Sequence, residues 1–245
     1  MIEREIEIKM PSGMADAAYF AAERNEKLPG ILFLTDIRGI RESHRERARR
    51  LAGIGYTVLM PNVFYRTRQP PIFDFELKWG EPRTMQRIGD LTQPLTPAAM
   101  VDDARHYFDA LHEQAETLPG EVGIVGHCFT GAMALRIAVA YPKEVAAMAS
   151  FHGGNLYTDK PDSPHLGVSS KTGTMLFEHA ENDSSMSAET IVKFEQAMAD
   201  SDAVFTSKTI SGAKHGWTVS DHATYDAAKS EEAFRDMKAL FAAEL

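Results

Sequence analysis

Three places in this sequence carry residues suited to nucleophilic acyl chemistry. The first is Gly126-His127-Cys128-Phe129-Thr130-Gly131, built around the only cysteine of the chain. A thiolate attacks carbonyl carbon readily, but it needs a base to take its proton and a third group to orient that base. Acids stand at the second place, Glu178-His179-Ala180-Glu181-Asn182-Asp183, and a histidine bordered by glycine at the third, Gly212-Ala213-Lys214-His215-Gly216-Trp217. Cys128, Asp183 and His215 therefore make a candidate nucleophile, orienting acid and base. Of the nine histidines, only His215 combines a late strand end with a glycine-bordered turn. Glu181 rivals Asp183, which could instead cap the helix that follows it. His179 reads as a local packing or hydrogen-bonding residue, and His127 sits inside the cysteine motif. A lone cysteine often serves only as a small buried hydrophobe, so its setting must decide.

The setting is a strand at 122–125 running into a helix at 129–141, closed by Pro142. A nucleophile on such a sharp strand-to-helix turn has strained backbone geometry and needs small neighbours. Gly126 and Gly131 supply them, whereas Thr130 is larger than such a turn usually carries. The Phe129 N–H, opening the helix, can donate to an oxyanion, and the helix N-terminus favours thiolate over thiol. Strands expected at 174–177 and 204–210 place Asp183 and His215 in loops at strand carboxyl ends, which share one crevice in open parallel sheets.

Upstream, Ile2, Ile6 and Ile8 mark one face of a strand, Pro11-Ser12-Gly13 a turn, and 17–22 the returning strand. Further strands are expected at 31–34, 56–60 and 145–151, with helices around 42–51, 96–116, 188–199 and 225–240. This alternation implies an α/β fold, a mainly parallel, doubly wound sheet with an N-terminal antiparallel hairpin. A length of 245 residues suits one domain, 1–245. Residues 66–95 carry four prolines without helical periodicity and read as an insertion. Phe73, Phe75 and Trp79 point to a lid or pocket wall there.

The chain is 44% hydrophobic and 25% charged, with a net charge of -9. That is an ordinary globular composition, and it argues against nucleic acid, whose phosphates need clustered Lys and Arg. No signal-peptide core and no run of ~18 apolar residues occurs. One cysteine makes neither an internal disulfide nor a thiolate metal cluster. A soluble, cytoplasmic protein, monomeric or a small homo-oligomer, is expected, with no membrane partner.

With these residues in view, the sequence resembles the dienelactone hydrolase family of the α/β-hydrolase superfamily over nearly its whole length. The shared features are the hairpin, the cysteine motif, Asp183, and Ala213-Lys214-His215-Gly216-Trp217. Leu34-Thr35-Asp36-Ile37-Arg38-Gly39 and Met60-Pro61-Asn62-Val63-Phe64-Tyr65-Arg66 resemble family loops after early strands. The resemblance implies hydrolysis of a small carboxylic ester or lactone through an acyl-cysteine, without metal or organic cofactor. It also assigns the second oxyanion donor to the Ile37 N–H. A family glutamate that modulates the thiol is replaced by Asp36, one methylene shorter, which alternatively pairs with Arg38 or Arg41. Family members hold a substrate carboxylate with two arginines, one of them at the place of Val219. Arg83 or Arg87 could supply the other, and Trp217 a more apolar pocket, so a neutral ester or lactone is the expected substrate. A thioesterase or other acyl hydrolase on the same triad is the alternative, and a non-catalytic ligand-binding homologue a further one.

Overall fold

A computed structural model describes all 245 residues. They form eight strands and six α-helices in a mixed, mostly parallel α/β arrangement. Two compact units divide the chain, Met1–Leu118 and Pro119–Leu245.

In the first unit, β1 (Ile2–Met10) and β2 (Gly13–Ala21) pair antiparallel from Ile2↔Ala21 to Met10↔Gly13, with Gly13 at φ 138 closing the tight turn. β2 then pairs antiparallel with β4 (Thr57–Pro61), and β4 pairs parallel with β3 (Gly30–Leu34). Every residue of β3 and β4 is buried, as continuous apolar runs in sheet interiors require. Helix α1 (Glu42–Gly53) buries Ala48, Leu51 and Ala52, while Arg45 and Arg49 on its outer face pair with Glu3.

Residues 66–95, expected to lack regular structure, contain helix α2 (Pro82–Thr92), entered through Pro82 at its first turn. Only Thr84 and Leu91 of this helix are buried, so polar residues mask its periodicity in the sequence. Trp79, expected to wall a pocket, is 59% exposed. Helix α3 (Pro97–His112) starts at its Thr96 cap, whose side chain accepts from Ala99 N–H, but ends short of the expected 116. Glu116 and Leu118 exchange backbone hydrogen bonds with Leu28 instead, at 2.9 and 2.8 Å, which pulls the chain off the helix axis.

In the second unit β5 (Val122–His127), β6 (Val145–Phe151), β7 (Thr174–Asn182) and β8 (Phe205–Lys214) lie side by side in that order, all parallel. Helices α4 (Phe129–Ala140), α5 (Ala188–Ala199) and α6 (Ala227–Glu244) connect or follow them. β7 and β8 both run past their expected ends at 177 and 210, because their ladder continues to Asn182↔Lys214. Backbone pairing, rather than apolar pattern, keeps those polar tips extended.

Candidate active site

Each parallel strand of the second unit ends at the same edge, and the next residue of each is chemically distinctive. Cys128 follows β5, His152 follows β6, Asp183 follows β7 and His215 follows β8.

Cys128 adopts φ 58 and ψ −124 at the N-terminus of α4. A left-handed non-glycine residue costs about 1–3 kcal/mol and persists only where its surroundings enforce it. Here the Cys128 N–H donates to Phe151 O at 3.1 Å, and its carbonyl accepts from Gly131 N–H at 3.0 Å. A Cβ on Gly126 would lie 2.4 Å from Thr130 O, and one on Gly131 2.4 Å from Ser150 Oγ and 2.7 Å from Gly153 Cα. Both glycines are steric requirements. Thr130 fits despite its size, because its hydroxyl donates to His127 O and accepts from His127 N–H, both at 3.0 Å. The residue that looked too large closes a second bond ring beneath the cysteine.

Asp183 does not cap the next helix, since Ser187 does so. One of its oxygens, Oδ1, accepts from Ser185 N–H at 2.8 Å and Ser185 Oγ–H at 2.6 Å. The other, Oδ2, lies 2.6 Å from His215 Nδ1. Burial alone would raise the Asp183 pKa, but the His215 and Ser185 donors lower it below the usual carboxylate value. Burial likewise works against a charged His215, yet Asp183 and the Cys128 side chain raise it to about 10. Glu181, the rival acid, is exposed and accepts from Gly212 N–H at 2.8 Å, which occupies it in joining β7 to β8.

The turn carrying His215 is equally constrained. Gly216 adopts φ +90, and a Cβ there would approach His222 Cγ to 2.8 Å. Thr224 Oγ–H donates to His215 O at 2.6 Å. Trp217, expected in the substrate pocket, is fully buried. It packs with Ala180, Ala213 and Ile210, because the turn folds its ring inward. Val219 is also buried, at 2% exposure. His179 is buried against Phe177 and Phe194, and desolvation lowers its pKa to about 4, so it stays neutral.

The remaining expected residues belong to the first unit. Asp36 is 4% exposed, and both its oxygens are taken by Arg41, at 2.6 and 2.7 Å, with Arg38 N–H donating at 2.9 Å. Asp36 is thus paired with Arg41. Burial would raise its pKa, but the adjacent His44 and Arg41 hold it well below the usual value. Ile37 is buried in the same loop. Arg87 donates to Ile72 O at 2.7 Å and approaches Asp74, and Arg83 stacks its guanidinium 4.0 Å over the Phe75 ring. Both arginines are engaged within the insertion.

Sequence reasoning missed His152, Ser185 and Thr218. The signal for His152 was present, since it stands first after a strand correctly placed at 145–151. No cluster of His, Cys, Asp or Glu has the makings of a metal site, and no helix is long and apolar enough to cross a membrane.

Comparison with known proteins agrees with this architecture. A curated relative from Synechocystis sp. is 26% identical over 224 residues, covering 89% of this chain and 87% of the relative. The carboxymethylenebutenolidase of Rhodococcus opacus is 28% identical over 177 residues, covering 69% of this chain and 62% of that protein. Among solved structures, one from Klebsiella pneumoniae subsp. pneumoniae superposes with a TM-score of 0.86 at 20% identity, covering 98% of both chains. A dienelactone hydrolase-like promiscuous phosphotriesterase from metagenomic libraries gives 0.79 at 20% identity, covering 99% of this chain and 98% of that one. The model of the dienelactone hydrolase family matches residues 17–245. The chain belongs to the dienelactone hydrolase family and is an ester- or lactone-cleaving hydrolase of the α/β-hydrolase fold.

Proposed function

We propose that this enzyme hydrolyses a small carboxylic ester or lactone through an acyl-cysteine on Cys128, with His215 as acid–base group and Asp183 as its orienting acid. The observation that carries the reading is that the residues following β5, β7 and β8 stand at one edge of the second unit's sheet. Cys128 sits in strained left-handed geometry, and at the same edge the His215 imidazole holds its Nδ1 2.6 Å from Asp183.

In this reading His215 takes the proton of Cys128 as the sulfur becomes the nucleophile. The sulfur adds to the carbonyl carbon, and the charge moves to the carbonyl oxygen. The Phe129 N–H, first in α4, donates to that oxyanion. Collapse of the adduct expels the alkoxide, which takes the imidazolium proton. Neutral His215 then removes a proton from water, whose oxygen displaces the cysteine from the acyl carbon and releases the acid. Asp183 keeps Nδ1 protonated throughout, so the ring presents its other nitrogen to the reaction.

A turnover screen of small lactones, p-nitrophenyl esters and thioesters tests the proposal, with Cys128→Ala and His215→Ala run beside the native enzyme. Each variant is expected to lose roughly 10⁴-fold or more in kcat, as removal of one triad member does in serine enzymes. Mass spectrometry should show one acyl adduct, on Cys128. Near-normal turnover by Cys128→Ala would overturn the reading.

A further inference from the structure

We infer that His152, tethered by Thr218, is a positioning residue for the His215 imidazole. His152 is the first residue after β6 and only 1% exposed. Its backbone takes φ 42, a conformation in which histidine is enriched over most non-glycine residues. Its N–H donates to Glu178 O at 2.8 Å, anchoring it to β7. The strand therefore ends in a turn that throws the ring sideways along the sheet edge.

The ring lands between two others. Its centroid is 5.1 Å from that of His215, the planes inclined by 62°, and 5.1 Å from Trp217, inclined by 71°. Both are edge-to-face contacts, a geometry that aromatic rings prefer. Trp217 is fully buried and fixed from behind by Ala180, Ala213 and Ile210. His152 is thus a wall with rigid backing, and His215 leans on its near face.

Rotation of the wall is restrained by a polar bond. His152 Nε2 lies 2.8 Å from Thr218 Oγ1. Thr218 belongs to the turn that carries His215, and its carbonyl accepts from Ser230 Oγ–H of α6 at 3.2 Å. The bond therefore joins the end of β6 to the loop of the catalytic base. Asp183 grips His215 at Nδ1 alone, a single contact about which an imidazole can pivot. The His152 face restricts that pivot. This matters because His215 must serve the leaving alkoxide and then the attacking water from one ring position, and small misplacements of reacting groups are costly.

The inference rests on the triad reading, and Cys128→Ala in the same assay separates the two: its turnover fails only if that reading is right. With a neutral p-nitrophenyl ester, His152→Ala is expected to lower kcat about 10- to 100-fold with KM within threefold of native. Thr218→Val, nearly isosteric, should lower kcat about tenfold or less. His152→Phe keeps a ring against His215 and should recover part of the loss. The double variant His152→Ala/Thr218→Val should be no worse than His152→Ala alone, since the threonine acts only through the ring. Circular dichroism reports folding; if His152→Ala does not fold, Thr218→Val and His152→Phe carry the test. A kcat within twofold of native in the folded variants would overturn the inference. So would a raised KM at native kcat, which would put His152 on the substrate, or full additivity in the double variant.

Discussion

At Asp183 the two carboxylate oxygens have separate partners, and that division favours it over Glu181 as the acid of the proposed triad. Ser185 occupies Oδ1 through two donors, which leaves Oδ2 aimed at His215 Nδ1. Replacing the acceptor by an amide invites the wrong imidazole tautomer, so Asp183→Asn should lower kcat by several orders of magnitude, about 10⁴ in comparable serine triads. Glu181→Gln should change kcat less than about threefold, because Glu181 reaches the Gly212 backbone rather than the imidazole. Steady-state rates on one ester decide between them, and the reverse ranking would move the acid to Glu181. The substrate's charge is also argued at this scale. With Val219 buried and Arg83 and Arg87 engaged by Phe75, Ile72 and Asp74, no arginine of these positions stands uncommitted for a carboxylate. A neutral lactone should then show a higher kcat/KM than its carboxylated analogue at equal ionic strength. A strong preference for the carboxylated compound, lost in Arg87→Ala, would show the opposite.

Among the elements, the β5–α4 junction is the most sensitive. The left-handed turn at Cys128 needs the bare Cα of Gly126 opposite Thr130 O and of Gly131 opposite Ser150 and Gly153. Backbone atoms at 2.4 to 2.7 Å cannot yield as a flexible side chain does. Gly126→Ala should therefore destabilise the protein by about 1–3 kcal/mol or more and remove most activity. Urea unfolding and ester turnover measure the two effects, and an unchanged midpoint would mean that the turn is softer than its geometry indicates. Thr130→Val, by contrast, keeps the volume and loses both bonds to His127. It should weaken stability by about 1–2 kcal/mol, in the same unfolding assay.

For the molecule as a whole, pH dependence of stability should show one unusual contribution outside the triad. Glu178 is 1% exposed within β7, and burial, with the Asp236 carboxylate beside it, raises its pKa to about 8. Lys208 pairs with Asp236 and is positioned to moderate that repulsion. A carboxyl whose folded pKa exceeds its unfolded value stabilises the fold fully below the unfolded value, near 4.5, and loses that contribution as pH rises through about 8. The raised His215 adds a loss of the same sign at higher pH, from 6.5 towards about 10. Glu178 should therefore contribute a fall in stability from pH 5 to pH 8, against the opposite contribution of the lowered His179 below about 6.5, and Glu178→Gln should remove that fall. The difference should be on the order of 1–3 kcal/mol, since Asp236 is lowered in response and offsets part of it. Thermal melts at a series of pH values test this, and a profile unchanged by the substitution would refute it.

The sequence by itself determined the parallel strands of the second unit, the turn at Cys128 and the order Cys128, Asp183, His215. Apolar runs such as residues 145–151 need no tertiary help to be read as strands, and glycines flanking a cysteine between strand and helix admit few other geometries. Polar segments were less legible. Helix α2 buries only two side chains, and the ends of β7 and β8 are held by each other's backbone, so no pattern in either segment announced them. Trp217 looked like a pocket residue because aromatic type says nothing of direction. Only the folded turn decided that its ring points inward, beneath His152. His152 itself and Ser185 act through contacts 26 to 66 residues away or through a local turn closed around Asp183. Side-chain direction and pairing across strand ends depend on register and backbone dihedrals set by the whole sheet, which is why the sequence could name the candidate residues while the tertiary structure alone chose the ones that hold them.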